Sequence, residues 1–202
     1  MQLRSDFDAI ATWVETNSSL LDLGCGDGSF LEFIRAKRQA VTYGVEIKDS
    51  AVLACVEKGL NVIQQDLEGG LALFKDQSFD TVVLSQTLQT IHQTERILRE
   101  VIRVGKQCVV SFPNFGHWSH RYAVALGRMP VSKSLPYEWF NTPNVRVLTI
   151  ADFEALAHKL GIEILGRVVL HHGKTVHWLP NLFGSLAIYR VCGAKKHSLL
   201  AE

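Results

Sequence analysis

A chain of 202 residues has room for one domain with a sizeable core and too little for two. Hydrophobic residues at 47% and charged residues at 20% are ordinary for a globular protein, and a net charge of +1 offers no basic face to nucleic acid or to an acidic membrane. No run approaches the roughly 20 apolar residues of a membrane-spanning helix, and Met1-Gln2-Leu3-Arg4-Ser5-Asp6 leads into polar positions rather than a secretion signal, so the cytoplasm is the expected compartment.

In chain order, Asp6 is a plausible N-cap for a helix carrying Phe7, Ile10, Ala11 and Val14 on one face. A short strand, Leu20-Leu21-Asp22-Leu23, runs into Gly24-Cys25-Gly26-Asp27-Gly28. The next helix places Phe30, Phe33 and Ile34 together and closes on Lys37 and Arg38, which suit a C-terminus. Val41–Val45 reads as a strand ending on Glu46. Asp49 then caps a helix with Val52, Cys55 and Val56, stopped at Gly59. A third strand, Asn61–Gln65, ends on Asp66, and Phe79–Leu84 is a fourth. Thr94–Val104 gathers Ile97, Leu98, Val101 and Val104 on one helical face, and Cys108–Phe112 is a fifth strand, halted by Pro113. Strands and helices alternating at this spacing mean βαβ units and a mostly parallel sheet, because each crossover takes about a dozen residues.

Periodicity fades over 113–149, where Phe115, Trp118, Tyr122, Tyr137, Trp139 and Phe140 crowd among prolines and asparagines. So many large apolar side chains argue against disorder. The segment reads as a lid over a site, a docking surface, or packing along one sheet edge. A helix over Ala151–Leu160 stops at Gly161, and two β-rich runs, Glu163–Leu170 and Ser185–Val191, precede a short polar tail. The four cysteines (Cys25, Cys55, Cys108, Cys192) are scattered without a C-x-x-C pair and fit buried thiols of a reducing compartment. Cys25 fills a turn rather than acting as a nucleophile.

The strongest signal is Asp22-Leu23-Gly24-Cys25-Gly26-Asp27-Gly28 between a strand and a helix. Glycines let the backbone turn sharply and approach a ligand, and the helix N-terminus offers N–H groups to a negative group. A nicotinamide-binding loop needs a third glycine where Ser29 stands, which disfavours a dehydrogenase. The G-x-G-x-G with an acid two residues before it resembles the first motif of class I S-adenosylmethionine (SAM)-dependent methyltransferases. That resemblance gives Asp22 the methionine amino group and Gly24, Gly26 and Gly28 the methionine part of the cofactor. Glu46, at the end of the second strand, then meets the ribose hydroxyls; Asp66, with the Leu67 backbone beside it, meets the adenine amino group. Ser85, at the end of the fourth strand, completes this cofactor set. Ligands of open α/β sheets bind at these carboxyl ends. Taken singly, each acid is equally well a solvated strand end.

A wider resemblance, to the methionine biosynthesis protein MetW family, covers nearly the whole chain. It rests on Gly44-Val45-Glu46-Ile47, Asn61–Leu67 and Phe79–Val83 beside the glycine loop. More specific are Phe112-Pro113-Asn114-Phe115-Gly116-His117-Trp118, Gly127-Arg128-Met129-Pro130-Val131-Ser132, Leu135-Pro136-Tyr137 and Asn141-Thr142-Pro143-Asn144. The resemblance implies a class I methyltransferase fold, SAM or S-adenosylhomocysteine as ligand, and a role in methionine biosynthesis beside a homoserine O-acyltransferase. It supplies no methyl acceptor.

Methyl transfer depends mainly on in-line positioning, with a base helping only some nucleophiles. After the fourth strand, Ser85-Gln86-Thr87-Leu88-Gln89 lacks the Asn/Asp-Pro-Pro-aromatic signature of many N-methyltransferases. His117 and Asn114 are the candidate catalytic residues; alternatively they fix a loop by hydrogen bonds and packing. Of the eight histidines, the sets His117-Trp118-Ser119-His120 and His171-His172 with His177 lack carboxylates or thiolates at metal-ligand spacing, so no metal is expected.

The expected fold is a doubly wound α/β domain spanning 1–202, Rossmann-like, with a mostly parallel seven-stranded sheet and an antiparallel C-terminal edge pair. The expected function is a SAM-binding accessory protein; the alternative is an active methyltransferase using 113–149 as its lid.

Overall fold

A computed structural model describes Arg4 and residues 6–194; the polar tail expected past Ala194 lies outside the described residues. The apolar runs pair as expected: β1 (Ser19–Leu23), β2 (Val41–Glu46), β3 (Asn61–Gln64), β4 (Phe79–Ser85) and β5 (Gly105–Pro113) form a parallel sheet. The helices among them are α1 (Asp6–Ala11), α2 (Ser29–Arg38), α3 (Asp49–Glu57) and α4 (Thr94–Val104). Beyond β5 come α5 (Trp118–Ala125), α6 (Ile150–Lys159), β6 (Ile162–His171), β7 (Lys174–Thr175), α7 (Pro180–Phe183) and β8 (Leu186–Gly193). The strand order is β3-β2-β1-β4-β5-β8-β6-β7, with β8 antiparallel between β5 and β6.

Among the described residues the sheet has eight strands rather than the expected seven, and its antiparallel edge is three strands wide. The added strand follows from a turn. His172 (φ 49°) and Gly173 (φ 78°) form a two-residue loop of the left-handed kind that matches hairpin twist, so Lys174 and Thr175 fold back onto His171 and Leu170. A second correction concerns 113–149, read as irregular throughout: α5 lies inside it. Its only buried member is His120, while Trp118, Tyr122 and Val124 are exposed, so no apolar stripe marks the helix.

Strand residues alternate between two cores because both faces of the sheet are covered. Leu21, Leu23, Val82, Leu84, Val110 and Phe112 meet α4 and α6 on one face. Leu20, Val83, Val109 and Ile188 meet α1, α2 and α3 on the other. α4 passes into β5 with no intervening loop, and β5 begins at Gly105, paired with Phe79, three residues before the periodicity suggests. α6 starts at Ile150 behind a capping box in which Thr149 and Asp152 satisfy each other's backbone N–H groups. No helix of the described residues is long and apolar enough to cross a membrane.

Candidate functional site

The order β3-β2-β1-β4 places the carboxyl ends of β1, β2 and β4 side by side, and the glycine loop leaves β1 there. Gly24 and Cys25 donate their N–H groups to the Val45 carbonyl, at 2.7 and 3.1 Å, which laces the loop to β2. At Gly26 (φ +55°) an added Cβ would meet nothing within 4 Å, so this turn opens onto empty space. Gly28 (φ +77°) is glycine for packing: a Cβ there would lie 2.3 Å from Leu60 Cδ1 and 2.9 Å from Cys55 Sγ. As N-cap of α2, Gly28 brings no side chain to the first turn of that helix.

A cleft of about 530 Å³ opens at this point, and Asp22, Gly24, Gly26 and Ser85 line it together. Asp22 is only 2% exposed, and its Oδ1 is buried with no hydrogen-bond partner among the described residues. Burial pushes its carboxyl up to about 7; Arg4 opposes that rise, while the charges of Glu46 and Asp6 add to it. A buried, unpaired carboxylate at the mouth of a glycine loop is a costly arrangement without a cationic donor, and an ammonium group would complete it.

Glu46 stands in a different state. Its Oε2 accepts the Gly26 N–H at 2.9 Å and its Oε1 accepts the N–H groups of Ile47 (2.8 Å) and Lys48 (3.0 Å). The residue read as a ribose ligand is thus also the strut of the glycine loop. Asp66 lies exposed at the end of β3, where its Oδ1 accepts the Glu68 N–H at 2.9 Å and caps a short 3-10 turn, Leu67–Gly69. Gly28, Glu46, Asp66 and Leu67 lie outside the cleft lining.

Sequence reasoning missed the opposite wall. Arg4 pairs with the fully buried Asp6 at 2.6 Å and donates to Ser85 Oγ at 2.8 Å; Ser85 Oγ and Gln86 Nε2 each lie 3.3 Å from Asp6 Oδ2. Asp6, read only as a helix cap, instead binds the chain start to the end of β4. Phe7, Phe30 and Phe33, read as helix core, also border the cleft; Phe7 packs 5.0 Å from Phe30 and 5.7 Å from Phe33. Arg4 followed two residues later by Asp6 is a weak signal, since local charge pairs are common on surfaces.

The two catalytic candidates lie elsewhere. Asn114 is fully buried and committed to structure: its amide donates to the carbonyls of Asn181 (3.1 Å) and Gly184 (2.8 Å), and its Oδ1 accepts from Gly116 (3.0 Å) and Ile150 (3.3 Å). His117 caps α5, with Nδ1 accepting the Ser119 N–H, and lines a second cavity of about 800 Å³ together with Gln86, His120 and His171. Ser85 and Gln86, adjacent in sequence, line the cleft and the cavity respectively. Among the described residues no group of three or more His, Cys, Asp or Glu side chains is placed to hold a metal.

The sheet order with its inserted antiparallel strand is that of the class I SAM-dependent methyltransferases. A SAM-dependent methyltransferase from Archaeoglobus fulgidus superposes with a TM-score of 0.70 at 16% identity, over 93% of this chain and 91% of that one. One from Thermotoga maritima gives 0.66 at 20% identity, over 93% and 87%. The cyclase SpnF gives 0.67 at 19% identity, over 94% and 80%, so the fold by itself fixes no single reaction. Within this class, the profile of the methionine biosynthesis protein MetW family matches residues 4–191, and the chain belongs to that family. A curated relative, the bifunctional methionine biosynthesis protein MetXA/MetW of Rhodopirellula baltica, is 37% identical over 172 residues. That match covers 80% of this chain, and the chain spans 28% of the relative's length.

Proposed function

We propose that the chain binds SAM, or its product S-adenosylhomocysteine, in the cleft at the glycine loop, and that it serves methionine biosynthesis as an accessory protein of a homoserine O-acyltransferase. The observation that carries the cofactor half is the buried Asp22 Oδ1, without a partner among the described residues, in the lining of the same cleft as the open Gly26 turn. Asp22 takes the methionine ammonium, the turn through Gly24 and Gly26 lies against the methionine chain, and Glu46 adds ribose hydroxyls to the amides it already holds. Asp66 and Leu67 flank the adenine. When bound, SAM supplies an electrophilic methyl group. The partner half is supported by the relative in which MetXA and MetW parts share one chain.

Calorimetry with SAM on the wild type, Asp22→Ala and Glu46→Ala tests the first half. Binding weakened at least tenfold by both substitutions is expected; equal affinity in all three sinks this assignment of the site. Co-purification with the acyltransferase at micromolar concentration tests the second half. An active methyltransferase is the second reading, favoured by the cavity lined by Gln86, the residue that follows the cleft-lining Ser85. Turnover of SAM to S-adenosylhomocysteine with cell extract as acceptor source distinguishes it.

A further inference from the structure

The 800 Å³ cavity is walled by the start of α5, the 132–134 loop, the β6–β7 turn and the ends of β4 and β8. Its lining holds Lys133, the hydroxyls of Ser119, Ser132 and Ser134, and several imidazoles, but no aspartate or glutamate. Every formal charge in that lining is therefore positive, while the hydroxyl of Ser119 is already hydrogen-bonded to His117 Nδ1, that of Ser132 to His120 Nε2, and those of Ser132 and Ser134 to each other.

His117 fixes the specificity further. His117 Nδ1 lies 3.3 Å from the Ser119 backbone N–H, which can only donate, and 2.7 Å from Ser119 Oγ, a hydroxyl able to donate as well; with both donating to Nδ1, the proton of the neutral imidazole falls to Nε2. His117 is 5% exposed, and this Nε2 is buried with no partner among the described residues. Burial, reinforced by His171, His120 and His172, pushes the ring down to about 4, which keeps it neutral at physiological pH. His171, stacked on His117 at 4.7 Å, contributes a second buried ring nitrogen, Nδ1, without a partner among the described residues. A buried unpaired donor is expensive unless an acceptor meets it.

We infer that this cavity is a binding site for a small monocarboxylate, one oxygen of which accepts from His117 Nε2–H while Lys133 neutralises the charge. One ammonium beside the neutral ring of His117 balances a single negative charge and leaves a phosphate dianion under-compensated. Leu170 and Leu186 in the wall suit a short aliphatic body. The place of this ligand as second occupant beside SAM rests on the function proposed above; its binding does not.

The test is a histidine-ring nitrogen NMR titration of the whole protein, without SAM, using sodium acetate at ionic strength held constant with sodium chloride. The expected result is a His117 signal of the Nε2-protonated tautomer that shifts saturably, with affinity on the order of millimolar for so small a probe. Lys133→Ala, an exposed position, weakens binding at least fivefold, and His117→Phe abolishes it. Asp22→Ala leaves acetate affinity unchanged, so failure here and failure of the SAM site are read separately. The proposal is overturned by the same shifts in chloride alone, by phosphate binding tighter than acetate, or by zinc ion capturing the rings. Acetate affinity undiminished in Lys133→Ala overturns it too, whether or not His117→Phe folds.

Discussion

At Asp22 the requirements of binding and of stability oppose each other. Its carboxyl moves from 3.8, the value in an open chain, to about 7 in the folded protein, chiefly through burial. A raised acid favours the folded state at low pH and penalises it as pH climbs through the folded value. At about 1.4 kcal/mol per unit, ionised Asp22 costs the ligand-free fold up to about 4 kcal/mol above pH 7. Asp22→Asn removes this cost. In urea unfolding of the ligand-free protein, the wild type should lose stability relative to Asp22→Asn between pH 5 and pH 8, and the variant should bind SAM at least tenfold more weakly. A parallel pH dependence in the two proteins would falsify the assignment. Glu46→Gln is the contrasting case. The amide presents hydrogens to one of the backbone N–H groups of Gly26, Ile47 or Lys48, so a loss of about 1–3 kcal/mol in stability accompanies weakened SAM binding. Thermal melts with and without ligand separate the two residues, since Asp22→Asn gains stability and Glu46→Gln loses it.

Among the elements, the segment from α5 to Phe140 differs from the rest. Trp139 (75% exposed) and Phe140 (66% exposed) pack on each other at 5.7 Å, with Tyr122, Met129 and Tyr137 also exposed. Large aromatics of this kind are the anchors of protein interfaces, and the proposed acyltransferase partnership assigns them that role. Replacing Trp139 and Phe140 together by Ala should weaken co-purification with the acyltransferase at least tenfold, while leaving the melting temperature and SAM affinity unchanged. An undiminished complex would move the contact to another face. The same exposure explains why this element escaped the sequence reading. β1 to β5 were legible because burial on both faces forces runs such as Thr81-Val82-Val83-Leu84, and α4 because its four buried positions repeat at helical spacing. α5 is held by a His117 cap and a single buried residue, and such a helix leaves no periodic trace. β7 depends on two left-handed residues, of which only Gly173 advertises itself. In the site, Asp22 and the glycines were readable because the loop conformation demands them. Arg4, Asp6 and Phe7 were not, because their place at the cleft depends on α1 returning to the end of β4, a contact between residues 79 and more positions apart.

For the molecule as a whole, β1 lies between β2 and β4, so the cleft joins the ends of β1 and β4 while β2 holds its glycine loop, and ligand and fold should report on each other. A ligand that binds only the folded state adds about 2.7 kcal/mol at a hundredfold excess over its dissociation constant. For a chain of this size, each kcal/mol is worth roughly 2–4 °C, so saturating SAM should raise the melting temperature by about 5–10 °C. The gain should depend on pH through Asp22. An ammonium stabilises the ionised carboxylate, and at pH 6 most of the ligand-free protein carries Asp22 protonated. Binding at pH 6 must then expel close to one proton, whereas at pH 8 the group is already charged and little is released. SAM affinity should accordingly fall about tenfold per unit as pH drops below about 7. Calorimetry at pH 6 in two buffers of different ionisation enthalpy measures the proton directly, because the apparent heat changes by the difference between the buffers. A heat independent of buffer would show that Asp22 does not change its charge on binding, and the ammonium would have to be placed elsewhere in the cleft. A buffer-dependent heat at pH 6 that is lost in Asp22→Asn would tie the buried Asp22 carboxylate to the arrival of its ligand.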